Sequence, residues 1–113
     1  MKITLEKLPF KKKTYDIKQS VKNMRKTYKL QLVFSQNGDM ENKTDEELVE
    51  QMLDTFDEAI DYVSSLLKLN DKQTDELEDL SQDELLDTAN TIAMKLMGIK
   101  EEDIKEDNKK SRK

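Results

Sequence analysis

Apolar residues recur along this chain with two different periods. In MKITLE, residues 1–6, Met1, Ile3 and Leu5 alternate with Lys2, Thr4 and Glu6. That period of two predicts a short strand with one covered face. Pro9 ends it, and in KTYDI, residues 13–17, Tyr15 and Ile17 repeat the alternation, which predicts a hairpin partner across PFKK. Two strands alone are marginal in water, so the pair needs a helix over one face.

From Ser20 onward the period lengthens. Ser20 is placed to cap, and Val21, Met24 and Tyr28 fall at helical spacing, predicting a basic helix over about 20–35. LQLVF, from Leu30, also fits a strand, but the turn signal Asn37-Gly38-Asp39 closes the segment either way. The next helix is predicted over 44–69. Thr44 with Glu47 reads as a capping box, and Asp45, Glu46 and Glu47 crowd a first turn where the helix dipole favours negative charge. Its stripe runs Leu48/Val49, Met52/Leu53, Phe56, Ala59/Ile60, Val63 and Leu66/Leu67, at intervals of three and four.

Asn70 to Leu80 forms an acidic joint with Leu77 and Leu80 positioned to pin a short helical turn. A last amphipathic helix is predicted over 81–97. Ser81 and Glu84 make its capping box, Leu85/Leu86, Ala89, Ile92/Ala93 and Leu96/Met97 its stripe, and Gly98 its stop, with Ile99 as the apolar contact beyond. KEEDIKEDNKKSRK, which follows, is almost wholly charged and reads as a mobile tail over 99–113. The expected fold is mainly α: a single small helical domain over 1–98, with three to four helices and a short N-terminal β-strand or hairpin arm over 1–18.

Composition makes this core a lean one. Of 113 residues 40% are charged and 35% hydrophobic, with no Trp, so solvated helix surface is extensive and stability leans on a partner or on self-association. Charge is unevenly placed. Residues 1–36 carry ten Lys/Arg against two Asp/Glu and residues 37–113 ten against 23, so a head of +8 joins a body of −13. No window holds the roughly 18 apolar residues of a membrane span, and the N-terminus has no signal-peptide run; a cytoplasmic protein is expected.

Candidate chemistry is sparse. Without His or Cys the usual general bases, thiolate nucleophiles and soft metal ligands are missing. Carboxylate pairs such as Asp54 and Glu58 belong on a solvated helix face. NDKQTDELED lacks the glycine and the alternating oxygens of a calcium loop. No enzyme, cofactor or metal is expected. The basic stretch Lys11, Lys12, Lys13, Lys18, Lys22, Arg25, Lys26 and Lys29, interleaved with Tyr15 and Tyr28, supports an alternative as a small nucleic-acid-binding or regulatory protein. Lys22, Lys26 and Lys29 nevertheless share the spacing of an ordinary solvated face.

The apolar stripes supply the main candidates. Met24, Met52, Met94 and Met97 lie in or beside the helices, and flexible thioethers re-pack around varied apolar partners. Part of such a stripe is core and part is available as a groove for another protein's amphipathic helix. The candidate partner-binding residues are Met52, Phe56, Val63, Leu85, Ile92, Leu96 and Met97.

The order of elements carries a resemblance. MKITLE, a Lys-rich segment leading into VKNMRKTYKL, then TDEELVEQMLDTFDEAIDYVSSLL, then LSQDELLDTANTIAMKLMGI with its charged tail, together resemble the tail assembly chaperones of long-tailed (siphovirus-type) phages of Gram-positive hosts. The resemblance implies a mainly helical protein absent from the finished virion. It would bind the phage tape measure protein in the host cell cytoplasm and keep it soluble until tail tube subunits polymerise round it. It also implies a longer frameshifted product, for which Lys109-Lys110 would suit an A-rich slippery site. Tape measure protein and tail tube subunits are thus the expected partners, with weak homo-oligomerisation and no membrane. A third reading is a self-assembling adaptor of the head–tail junction, in which basic head meets acidic body.

Overall fold

A computed structural model describes residues 1–36 and 43–98. The turn Asn37-Gly38-Asp39, the Ile99 contact, the charged tail and Lys109-Lys110 lie outside the described residues.

The chain opens as the alternation predicts. Strands β1 (Lys2–Thr4) and β2 (Thr14–Asp16) pair antiparallel, with Ile3 opposite Tyr15. The Ile17 amide donates to the Met1 carbonyl at 2.8 Å and the Leu5 amide to the Lys13 carbonyl at 2.7 Å, extending the ladder by a residue at each end. Thr4 therefore faces Thr14 across a non-hydrogen-bonded position, where side chains approach closely, and their hydroxyls meet at 2.9 Å. Ile3, Leu5, Leu8, Tyr15 and Ile17 all turn inward and are buried, each contributing about 1.5–3 kcal/mol if fully withdrawn from water. The Lys13 ammonium donates to the Glu6 carbonyl at 3.2 Å and to that of Leu8, tying down the connecting loop.

Among the described residues four helices follow: α1 (Val21–Gln36), α2 (Asp45–Leu67), α3 (Asp71–Leu77) and α4 (Gln82–Leu96). Each start is held by a side-chain oxygen. Ser20 accepts from the Asn23 amide at 3.1 Å, Thr44 from Glu47 at 3.2 Å, Asn70 from Gln73 at 2.8 Å and Ser81 from Glu84 at 3.2 Å. At α4 the predicted box is complete, because Glu84 returns to accept from the Ser81 amide at 3.1 Å. At α2 the Glu47 carboxylate accepts instead from the Thr44 hydroxyl, at 3.2 Å. The joint at 70–80 is more ordered than expected, since Asn70 and Gln73 form a full capping box and Leu77 is completely buried. Amide-bearing residues build the same reciprocal bonds as Ser and Glu, and they start the short helical turn that Leu77 pins.

Helix α2 ends on Lys68 in the left-handed region, φ 56°, with the Leu69 amide reaching back to the Ser64 carbonyl at 2.9 Å. Gly98 closes α4 at φ +82°, as its lack of a Cβ suggests.

α2 packs against both α1 and α4, and the hairpin closes the core. Among the described residues the buried polar ones are three threonines, and each hydroxyl donates to the carbonyl four residues back: Thr27 to Asn23, Thr55 to Gln51 and Thr88 to Glu84, at 2.8–2.9 Å. These short side chains satisfy themselves within their own helix and let neighbouring helices approach. Gln19 ties the far end, its amide donating to the Leu96 carbonyl at 2.8 Å.

Candidate partner-binding surface

The stripe of α2 is continuous in sequence but not in burial. From Thr55 onward it enters the core through Ala59, Tyr62, Val63, Leu66 and Leu67. Before Thr55 none of its residues is buried. Val49, Met52 and Leu53 are 59%, 43% and 56% exposed, and Leu48 and Phe56 are half-buried. The same happens on α1, where Leu30 is the last buried residue and Leu32 stands out in solvent. Thr27 meets Tyr62 and Lys29 meets Glu58, so the two helices run antiparallel, and the end of α1 and the start of α2 project from the same end of the body. The overhang of α2, residues 45–54, is about 15 Å long at 1.5 Å per residue.

At the root of the overhang α1, α2 and α4 enclose an open groove of about 420 Å³ lined by Phe34, Thr55, Leu86, Asn90, Asp83 and Asp87. Phe34 and Leu86 are its apolar lining, and α4 contributes the acidic Asp83 and Asp87. Along the overhang Glu46, Glu50 and Asp54, with Asp57 one turn beyond, flank the apolar residues at helical spacing. The surface is an apolar strip with an acidic border, a form suited to an amphipathic helix.

This arrangement divides the sequence-predicted candidates. Val63, Leu85, Ile92 and Leu96 are buried and hold the chain's own helices together. Met52 is exposed on the overhang, Phe56 is half-buried at its root, and Met97 is half-buried at the C-cap of α4, beyond the groove. Val49 and Leu53 belong with Met52. Their signal was the doubling of the stripe at Leu48/Val49 and Met52/Leu53, wider than one helical neighbour covers.

The basic residues are dispersed. Lys13 is engaged in the hairpin loop, Lys29 lies 3.7 Å from Glu58, and Lys7 pairs with Asp87 at 2.9 Å. The hydrogen bond from Lys7 to that carboxylate raises the pKa of the ammonium and clamps the hairpin on α4. Tyr15 turns its ring into the core, with the Lys12 ammonium 4.8 Å from the ring centroid. Of the two tyrosines in the basic stretch, Tyr28 alone presents its ring to solvent. Among the described residues no three Asp or Glu side chains gather as a metal site, and no helix is long and apolar enough to cross a membrane.

A family model described as phage tail assembly chaperone proteins, TAC, matches residues 1–111. The chain belongs to this family. Searches of curated proteins and of solved structures found no match. Membership makes the protein an assembly chaperone of phage tails, from a family that is generally non-enzymatic.

Proposed function

We propose that this chaperone binds the tape measure protein during tail assembly and keeps it soluble, in the host cytoplasm, without entering the finished virion. The observation that carries the reading is the exposed strip Val49, Met52 and Leu53, one turn or less from Phe56 on the same helix face, with the groove lined by Phe34 and Leu86 beginning at Thr55. A tape measure helix that would aggregate through its apolar stripe gains a cover here, about 25 cal/mol for each Å² of apolar surface removed from water. Met52 adapts its shape to successive client turns. The acidic border and the acidic body then face outward and keep loaded clients apart. Val63, Leu85, Ile92 and Leu96 serve the same end by holding α2 and α4 in register beneath the strip. A short strip gives a weak contact, so several copies along a long client supply the affinity while each remains displaceable by tail tube subunits.

Co-expression with the tape measure protein tests this. The chaperone raises the soluble client fraction and co-purifies with it. Met52→Asp with Leu53→Asp returns the client to the insoluble fraction while the helical circular dichroism of the chaperone is unchanged. Full rescue by that folded variant would overturn the assignment of the strip.

A further inference from the structure

A second apolar strip lies on α1, and its border is basic. Val21, Tyr28 and Leu32 are 71%, 55% and 64% exposed. With Arg25 they fall within about 60° of the helix circumference over three turns, roughly 16 Å. Lys18, Lys22 and Arg25 are exposed beside Val21 and Tyr28, and α1 contains no acidic residue. Among the described residues none of these three cations has an ion-pair partner. The described chain ends near the head of this strip. The Leu96 carbonyl accepts from the Gln19 side-chain amide at 2.8 Å, so Gly98 lies two residues from a bond anchored two residues before Val21. IKEEDIKED, residues 99–107, leaves from that point with five acids against two lysines, and Ile99 and Ile104 are its apolar residues.

We infer that residues 99–107 dock on this strip of their own chain. Ile99 and Ile104 cover Val21 and Tyr28, while Glu101, Glu102 and Asp103 lie against Lys18, Lys22 and Arg25. Reach permits the contact. Nine residues span roughly 14 Å as a helix and about 30 Å extended, and Tyr28 lies roughly 11 Å beyond Val21 along α1. Charge selects it, because the exposed overhang of α2 has an acidic border and starts at the far end of α1. The tether supplies the affinity: a short linker gives an effective concentration of about 1 mM, enough to populate a contact too weak to hold a free peptide. Salt opens it, since the screening length falls from about 8 Å at physiological ionic strength to about 3 Å at 1 M. The segment is a strap that keeps a basic apolar face from unselective capture of acidic proteins until a competitor displaces it. The inference goes beyond client binding and does not need it, because the α1 strip has no part in the client site.

Paramagnetic broadening of amide signals in the full chain tests it. The sequence has no cysteine, so Asn108→Cys accepts a single nitroxide label. The Arg25 and Tyr28 amides are expected to lose intensity several-fold, and those of Val49 and Leu53 to keep theirs. Ile104→Ser, or Glu102→Lys with Asp103→Lys, should restore Arg25 and Tyr28 in the labelled chain, as should about 1 M salt. Unshifted signals from α2 and α4 would show the fold intact in each variant. Isotope-enriched chain without the label, mixed with labelled chain that is not enriched, should show no loss. Full intensity at Tyr28 in the labelled chain would overturn the proposal. So would a loss that survives the substitutions, which is what a tether without docking produces. An equal loss in the mixture would place the segment on another molecule, and loss at Val49 and Leu53 would place it on the overhang; either would overturn the proposal too.

Discussion

The Thr27 hydroxyl and the Tyr62 phenol meet at 2.7 Å in the interior, joining α1 to α2. Thr27 already gives its single proton to the Asn23 carbonyl at 2.9 Å, so the phenol donates to the threonine oxygen. The two partners are therefore not equivalent. Tyr62→Phe leaves Thr27 bonded to its own helix and should cost about 1 kcal/mol. Thr27→Val strands the buried phenol proton and should cost about 1–3 kcal/mol. Urea denaturation of the two variants and the double variant gives the order, and the double variant should cost less than the sum.

Burial pushes the Tyr62 phenol up to about 12. Unfolded, the same group titrates near 10. A group whose folded pKa is raised stabilises fully below its unfolded value, and that stability is lost as pH rises through the folded one. Stability should accordingly decline between about pH 10 and 12. Denaturation midpoints should fall across this window, and Tyr62→Phe should flatten the decline.

At the other end of the scale Glu84 has a lowered pKa, first because it accepts the Ser81 backbone amide. A depressed carboxylate stabilises above its unfolded pKa and ceases to as pH falls through the folded one. Ser81→Ala should cost about 1 kcal/mol at neutral pH by losing the cap. Glu84→Gln, which keeps the reciprocal bond without the charge, should reduce the acid-side slope in the same titration.

Lys68 holds a left-handed conformation that carries a steric penalty for any side chain. Lys68→Gly should raise stability by about 0.5–1 kcal/mol, because relief of that strain outweighs the added freedom of the unfolded chain. A fall in the thermal midpoint would show that the lysine stem makes a compensating contact.

Core and overhang should separate cleanly on truncation. Ile92→Ala, at a fully buried position, should cost about 2–5 kcal/mol. Leu53→Ala, on the overhang, should stay within about 0.5 kcal/mol. Client solubilisation should follow the reverse order once the Ile92 variant is assayed below its melting temperature.

Much of this architecture was legible in local patterns. The alternation in MKITLE and KTYDI, the caps at Ser20, Thr44 and Ser81, and the stop at Gly98 all operate within a few residues, and the structure contains each of them. Local hydrogen bonding and backbone sterics need no distant partner, so sequence alone determined where the hairpin lies and where three of the helices begin. At α3 the leucine spacing marks a helical turn, whereas its capping box, built from Asn70 and Gln73, carries no Ser/Thr–Glu signature.

Which apolar residues would be free was a different matter. Met52 and Val63 occupy the same stripe of one helix, and periodicity treats them alike. Burial depends on what lies opposite, and that depends on helix lengths and directions: α2 outruns its neighbours on the side of Met52 and is covered on the side of Val63. The same geometry sends Ile92 and Leu96 inward and leaves Val49, Leu53 and Leu32 in solvent. Sequence determined that each helix has an apolar face; only the packing of antiparallel helices of unequal reach decided which part of that face remains open to another protein.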